Sequence, residues 1–254
     1  MSLARAIVTG DLAQLPSRRD EDWRWSDIRA LVRVLPEASP AFAGDLPPAP
    51  FGEVETIAIV NGRGPARIEV AVGERRVLAL RYVATDAGAH ASKIEIHIAE
   101  SAALVLLESH EGHAGYVTQA DLAVTLAVGA RLERIVLATD GEDAVAVARA
   151  DIELAPGASL AQTVLTTGAK RQRLETRVAH PGGGASARLD ALYLLSGRRH
   201  ADLTTVVVHD GLDGTTDQLT KGVVTDQARG VFQGRIEVRS GADRTDARMG
   251  HHAL

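Results

Sequence analysis

Ala102-Ala103-Leu104, Gly129-Ala130-Arg131-Leu132, Gly157-Ala158-Ser159-Leu160 and Gly184-Ala185 leading to Leu189 are four returns of one pattern: small residues, then a leucine, then a strand. Leu104 and Leu132 are 28 residues apart, Leu132 and Leu160 again 28, and Leu160 and Leu189 29. A fixed period of this length in strand-only sequence marks a solenoid. Each repeat has room for about two strands and two turns, and the Gly-Ala pairs suit the turns, where small residues or positive φ are needed. The spacing predicts that the four leucines stack inward at equivalent places in successive coils, ~4.8 Å apart. A β-sandwich is the rival, but its turn signals would come every ~8–12 residues without the longer period.

Outward from the repeat, the rest of the chain beyond about residue 54 also has period two. In Lys93-Ile94-Glu95-Ile96-His97-Ile98 the isoleucines alternate with polar residues, as in a half-buried strand with His97 on the solvent side. Similar strands are expected at 104–107, 121–128, 132–138, 144–154, 160–166, 174–179, 187–195, 203–209 and 231–238. The chain is 45% hydrophobic but only 3% aromatic, so aliphatic side chains must fill its core. Such Val-rich cores suit strands.

Residues 1–35 read differently. Ser17, Asp20 or Ser26 could cap a helix start, and Trp25, Ile28, Val32 and Leu35 share one helical face. Pro36 ends that run, and residues 36–50 hold five of the nine prolines. The expected division is therefore 1–50, a helical segment and Pro-rich linker or extended wrap, and 51–254, the β core.

Composition excludes several functions. There is no cysteine, hence no disulfide framework, no cysteine nucleophile and no thiolate to hold an iron–sulfur cluster. A net charge of −5 argues against nucleic acid or an anionic membrane as the main partner. No apolar run approaches the ~18 residues of a membrane span. Met1 to Asp22 is punctuated by charges and lacks the apolar region of a signal peptide, so a cytoplasmic location is expected.

Familiar catalytic motifs are absent from the sequence. There is no G-x-S-x-G elbow, H-E-x-x-H pair or Walker A loop. Pro181-Gly182-Gly183-Gly184 bridges two strands and opens no helix onto a phosphate. His110 and His113, with Glu111 between, could belong to a metal site. No third ligand is specified, so a polar turn between strands is the better reading. His251 and His252 are adjacent and would face opposite sides of a strand. Lys170-Arg171-Gln172-Arg173 reads as a solvated basic turn, with a partner-binding patch second. Asp210, Asp213 and Asp217 sit among Gly211 and Gly214, as in a turn. No catalytic, cofactor-binding or metal-binding residue is assigned. A β-helical lyase or hydrolase, the alternative function, would need clustered carboxylates along a groove. Such enzymes also expose aromatics to sugars, and this chain has two Trp, three Tyr and three Phe.

Two stretches carry a resemblance. Ser17-Arg18-Arg19-Asp20-Glu21-Asp22-Trp23-Arg24-Trp25-Ser26 resembles the "R-R-x-E-x-W-[KR]-[aromatic]-[ST]" stretch of the SufD branch of the SufB/SufD family. From His209 to Met249, Lys221-Gly222-Val223, then Val231-Phe232-Gln233-Gly234-Arg235-Ile236-Glu237-Val238, then Thr245-Asp246-Ala247, resemble that family's "K-G-[VI]", "V-F-x-G-x-I-x-V" and "T-[DN]-[AG]" signature. The resemblance implies a right-handed parallel β-helix flanked by helical segments. It also implies a non-catalytic scaffold subunit of an iron–sulfur cluster assembly complex, with a SufB-type paralogue and a SufC-type ATPase as partners. The cluster would be assembled transiently with SufB, whose cysteines would supply thiolates, and this chain alone would bind none. The family pattern continues past the "T-[DN]-[AG]" motif, so the chain ending at Leu254 is expected to be truncated. A homodimer through the C-terminal edge of the β-helix is then possible.

Overall fold

The structure, a computed structural model, describes residues 2–254. One short helix, α1 (Leu3–Thr9), precedes fifteen strands: β1 (Thr56–Val60), β2 (Arg67–Val70), β3 (Arg75–Ala84), β4 (Ala89–Ile98), β5 (Ala103–Gly112), β6 (Val117–Leu126), β7 (Arg131–Thr139), β8 (Val145–Leu154), β9 (Ser159–Thr166), β10 (Arg171–His180), β11 (Ser186–Leu195), β12 (His200–His209), β13 (Thr215–Val224), β14 (Arg229–Val238) and β15 (Asp246–Ala253). The odd strands stack in chain order into one eight-stranded sheet, and the even strands into a seven-stranded sheet facing it. Neighbours are parallel throughout. Each coil thus contributes one strand to each sheet, the β-solenoid that the period implied.

The corners explain the repeat. In Ala99–Ala102, Ala127–Ala130 and Ala155–Ala158 the last residue's N–H donates to the first residue's carbonyl at 3.0–3.1 Å. The third residue lies in the left-handed region, as Ser101 (φ 58°), Gly129 (66°) and Gly157 (71°). Glycine meets that demand without a Cβ penalty. The fourth, Ala102, Ala130 or Ala158, is fully buried in the corner, and Ala185 repeats the position one coil later.

Leu104, Leu132 and Leu160 stack in register and face inward. Leu189 does not join them: Leu160 pairs with Ala187, and Leu189 lies opposite Gln162. Ser186 follows Ala185 as Ser159 follows Ala158, so the buried corner alanine carries the register. Leu189 is displaced by two residues, which keeps its side chain on the inner face.

The N-terminal segment lies on the outer face of the second sheet. Leu3, Ala6, Leu15, Ile28 and Val32 bury against Ala89, Val117, Val145 and Val147, the first residues of β4, β6 and β8 and the third of β8. Ser2 caps α1 by accepting from the Arg5 N–H. The helix expected over 26–35 is instead a single turn, with Val32 N–H donating to Ile28 O at 2.8 Å. Asp27 closes this turn by accepting from Ala30 N–H. Docking Ile28 and Val32 satisfies the apolar pattern without further helix, and Trp25 stays 43% exposed. Residues 37–39 run beside β4, where Ser39 N–H donates to Ala89 O and Ala89 N–H to Glu37 O. Among the described residues no helix is long and apolar enough to cross a membrane.

Candidate functional site

A polar row runs through the middle of the apolar interior. Arg134 of β7 sits in register with Gln162 of β9 and reaches back to Glu108 of β5. Its guanidinium donates to both Glu108 oxygens at 2.8 and 2.9 Å and to Gln162 Oε1 at 2.6 Å. Gln162 Nε2 donates across the interior to Thr176 Oγ1 on the opposite sheet. His110 Nε2 meets Glu108 Oε1 at 2.8 Å, and its ring stacks on Tyr82 with centroids 4.8 Å apart. Glu108 is 1% exposed and Arg134 4%. Burial pushes the Glu108 carboxyl up, but Arg134 and His110 override it and hold its pKa at about 2. The cavity beside it, lined by Arg134, Gln162 and Thr176, is about 20 Å³, space for roughly one water. A closed, neutralised network of this kind pins two facing sheets together; it offers no approach to a substrate.

Farther along β10, His180 meets His209 of β12 with ring centroids 4.3 Å apart. His180 Nδ1 accepts from Gly182 N–H and its Nε2 donates to Thr215 O, which sets the tautomer. His209 Nε2 meets Thr216 Oγ1, and burial lowers its pKa to about 4. Both rings are therefore neutral near pH 7.

The basic run Lys170–Arg173 is not a solvated turn. Strand β10 begins at Arg171, Gln172 points inward and donates to Asp140 Oδ2, and Arg173 is only 1% exposed. Arg173 lies on the outer face under the N-terminal segment. It donates to Glu175 and Asp202, Trp23 stacks on it at 4.5 Å, and Ser26 Oγ donates to the same Asp202. Ser26, expected as a helix cap, is a buried latch between segment and sheet.

The other sequence candidates do not converge. His110 belongs to β5, which runs to Gly112, while His113 is exposed in the turn after it. The polar turn expected from Leu107 onward is thus a strand, because the inward parity of Leu104 and Leu106 continues through Glu108 and His110. Asp210 and Asp213 flank the β12–β13 turn, paired with Arg239 and Arg244, and Asp217 sits on the exposed side of β13. An outer groove of about 450 Å³ holds Asp151, Glu153 and Asp210, interleaved with Arg177, Arg235 and Arg239. No Trp, Tyr or Phe lines it. Among the described residues no three His, Asp or Glu side chains are placed to share a metal ion.

The last coil gathers the motifs from His209 onward. Lys221-Gly222-Val223 lies in β13, 231–238 in β14, and Asp246 opens β15. Gly222 and Gly230 make room for Tyr193: a Cβ would sit 1.9 and 2.5 Å from its ring. Tyr193 OH meets His251 Nε2 at 2.9 Å, and His251 packs on Phe232, while His252 points to the exposed side.

Residues 81–254 match the family model described as SUF system FeS cluster assembly, SufBD core domain. The chain belongs to the SufBD core domain family. It is 26% identical over 203 residues to the iron–sulfur cluster assembly protein SufD of Escherichia coli strain K12, covering 79% of this chain. Those residues span 47% of that relative, about half its length. The SufBD match begins within β3, so it takes in the polar row, the histidine stack and the last coil, and leaves the N-terminal segment outside. The sequence reading missed Glu108, Arg134, Gln162 and the Arg173–Asp202 pair. Parity along β5 and β7 was the available signal for the first three.

Proposed function

We propose that this chain is the β-solenoid of a non-catalytic scaffold subunit for iron–sulfur cluster assembly, working in the cytoplasm with a SufB-type paralogue and a SufC-type ATPase. The match of residues 81–254 to the SufBD core carries the reading. The chemistry of the chain agrees with it. The chain has no thiolate for a cluster, its interior carboxylate is neutralised and sealed, and the outer groove holding Asp151, Glu153 and Asp210 is balanced by arginines. The cluster, as cargo, would take its thiolates from the paralogue. The test is co-purification of the tagged chain with SufB-type and SufC-type proteins from the same cell, with absorbance read after anaerobic reconstitution. Capture of both partners, with a chromophore only in the complex, is the expected outcome. A stable brown chromophore on the isolated chain, or ATP hydrolysis by it, would overturn the reading.

A further inference from the structure

One side-chain cluster has charge without counter-charge. On the outer face of the second sheet, His200 pairs in register with Arg229, and Arg171 immediately precedes the neighbouring pair Gln172–Ala201. His200 is 4% exposed; neither ring nitrogen has a side-chain hydrogen-bond partner, and the polar group above the ring is the Trp25 backbone. Arg171 Nε is likewise buried and unpartnered. The carboxylates nearby are engaged elsewhere. Asp202 is held by Arg173 and Ser26, Asp22 lies against Arg177, and Asp27 caps its own turn and acts on Arg171 only at a distance. From the N-terminal segment, Trp25 carries two more guanidinium contacts, Arg24 at 5.1 Å and Arg229 at 5.4 Å from its ring.

Unneutralised cations side by side on a partly buried face are costly, and donors left without acceptors cost more. Here they collect in a chain whose net charge is −5, so the excess is local. Arg171 and Arg229 act on His200 from neighbouring strands, Asp202 from its own strand and the Trp25 backbone from above. Burial above all, with the two arginines adding to it, lowers the ring's pKa to about 4. We propose that Arg171, His200 and Arg229, with Arg24 and Trp25, form a binding site for a small phosphate-type oxyanion. The tetrahedral anion takes guanidinium N–H donors from Arg171 and Arg229 and one imidazole N–H from His200 beneath them, as charge-assisted hydrogen bonds. A small ion fits better than an acidic protein surface because the His200 and Arg171 Nε donors are recessed under the Trp25 segment.

The test titrates inorganic phosphate into the 254-residue chain at constant ionic strength, with chloride as the balancing anion. Calorimetry and tryptophan emission in a Trp23→Phe background, which leaves Trp25 as the reporter, give the affinity. One saturable site is expected, weakened about tenfold or more by Arg229→Gln, an exposed position that leaves the fold intact. Arg171→Gln should weaken it similarly. As a second readout, the His200 imidazole pKa, followed by NMR, should rise when phosphate binds. Glycerol phosphate in a parallel titration separates a phosphomonoester site, which binds it comparably, from a site for free phosphate, which does not. No saturation below about 10 mM, wild-type affinity in both arginine variants, or preferential binding of a short polyglutamate peptide would overturn the proposal.

Discussion

Arg134 illustrates why a single buried charge decides more than a surface one. It neutralises Glu108 and anchors Gln162 in an interior that is otherwise aliphatic. Removing it alone leaves a carboxylate in apolar surroundings, which costs about 3–5 kcal/mol, while removing both partners can be close to neutral. Arg134→Leu should therefore unfold at much lower denaturant than the wild type, and Glu108→Leu with Arg134→Leu should recover most of the loss. Urea titrations of the three proteins measure both. The same residues set the acid limit. Glu108 titrates at about 2 in the fold against 4.5 unfolded, so its contribution is complete above pH 4.5 and is lost as pH falls toward 2. His200 and His209 are depressed from 6.5 to about 4, so the unfolded chain takes up protons first. Stability should already fall between pH 6.5 and 4, before the carboxylate joins in. A flat unfolding free energy from pH 7 to 4.5 would show that these rings are not held neutral.

The N-terminal segment has a different logic from the strands. Its apolar residues were legible as a helical face, but Ile28 and Val32 need only one turn to reach Val117, Val145 and Val147. Local periodicity could not reveal that the partner surface is a sheet whose outer face is apolar at those strand starts. Arg173 was misread for the same reason: a basic run looks solvated until Trp23 and Ser26 arrive from about 150 residues earlier in sequence, as the indole and hydroxyl do here. Ser26→Ala should cost about 1–3 kcal/mol, because the lost hydrogen bond goes to a buried carboxylate. Hydrogen exchange should quicken locally in residues 2–35, with β5 to β9 unchanged. If protection falls equally everywhere, the segment is an integral part of the cooperative unit. In the last coil, Gly222 is needed for space alone. Gly222→Ala places a methyl on the Tyr193 ring, and overpacking of that kind costs about 1–3 kcal/mol. A Tyr193→Ala, Gly222→Ala double variant should relieve the clash, a coupling that a thermal melt series detects.

The solenoid as a whole was readable because one small corner residue recurs at a near-constant spacing, and misread only where Leu189 was taken as the marker in place of Ala185. What the period could not convey is how the two ends differ. At one end β1 and β2 are short, five and four residues, and residues 37–39 run beside β4. Short edge strands with covered neighbours are poor templates for another chain. At the other end β14 and β15 have ten and eight residues and a neighbour on one side only. Their unpaired N–H and C=O groups depend on water, and Val238 and Met249 are about half exposed beside them. Adding a strand from a second molecule satisfies those groups and covers that apolar surface. The 254-residue chain should therefore self-associate through β14 and β15, and mass should rise with concentration in light scattering. Amides of 229–238 and 246–253 should exchange more slowly in the associated form, while those of β1 and β2 should not change. A mass fixed at 26.8 kDa at high concentration, with β14 and β15 already slow to exchange, would mean that the monomer protects this edge by itself.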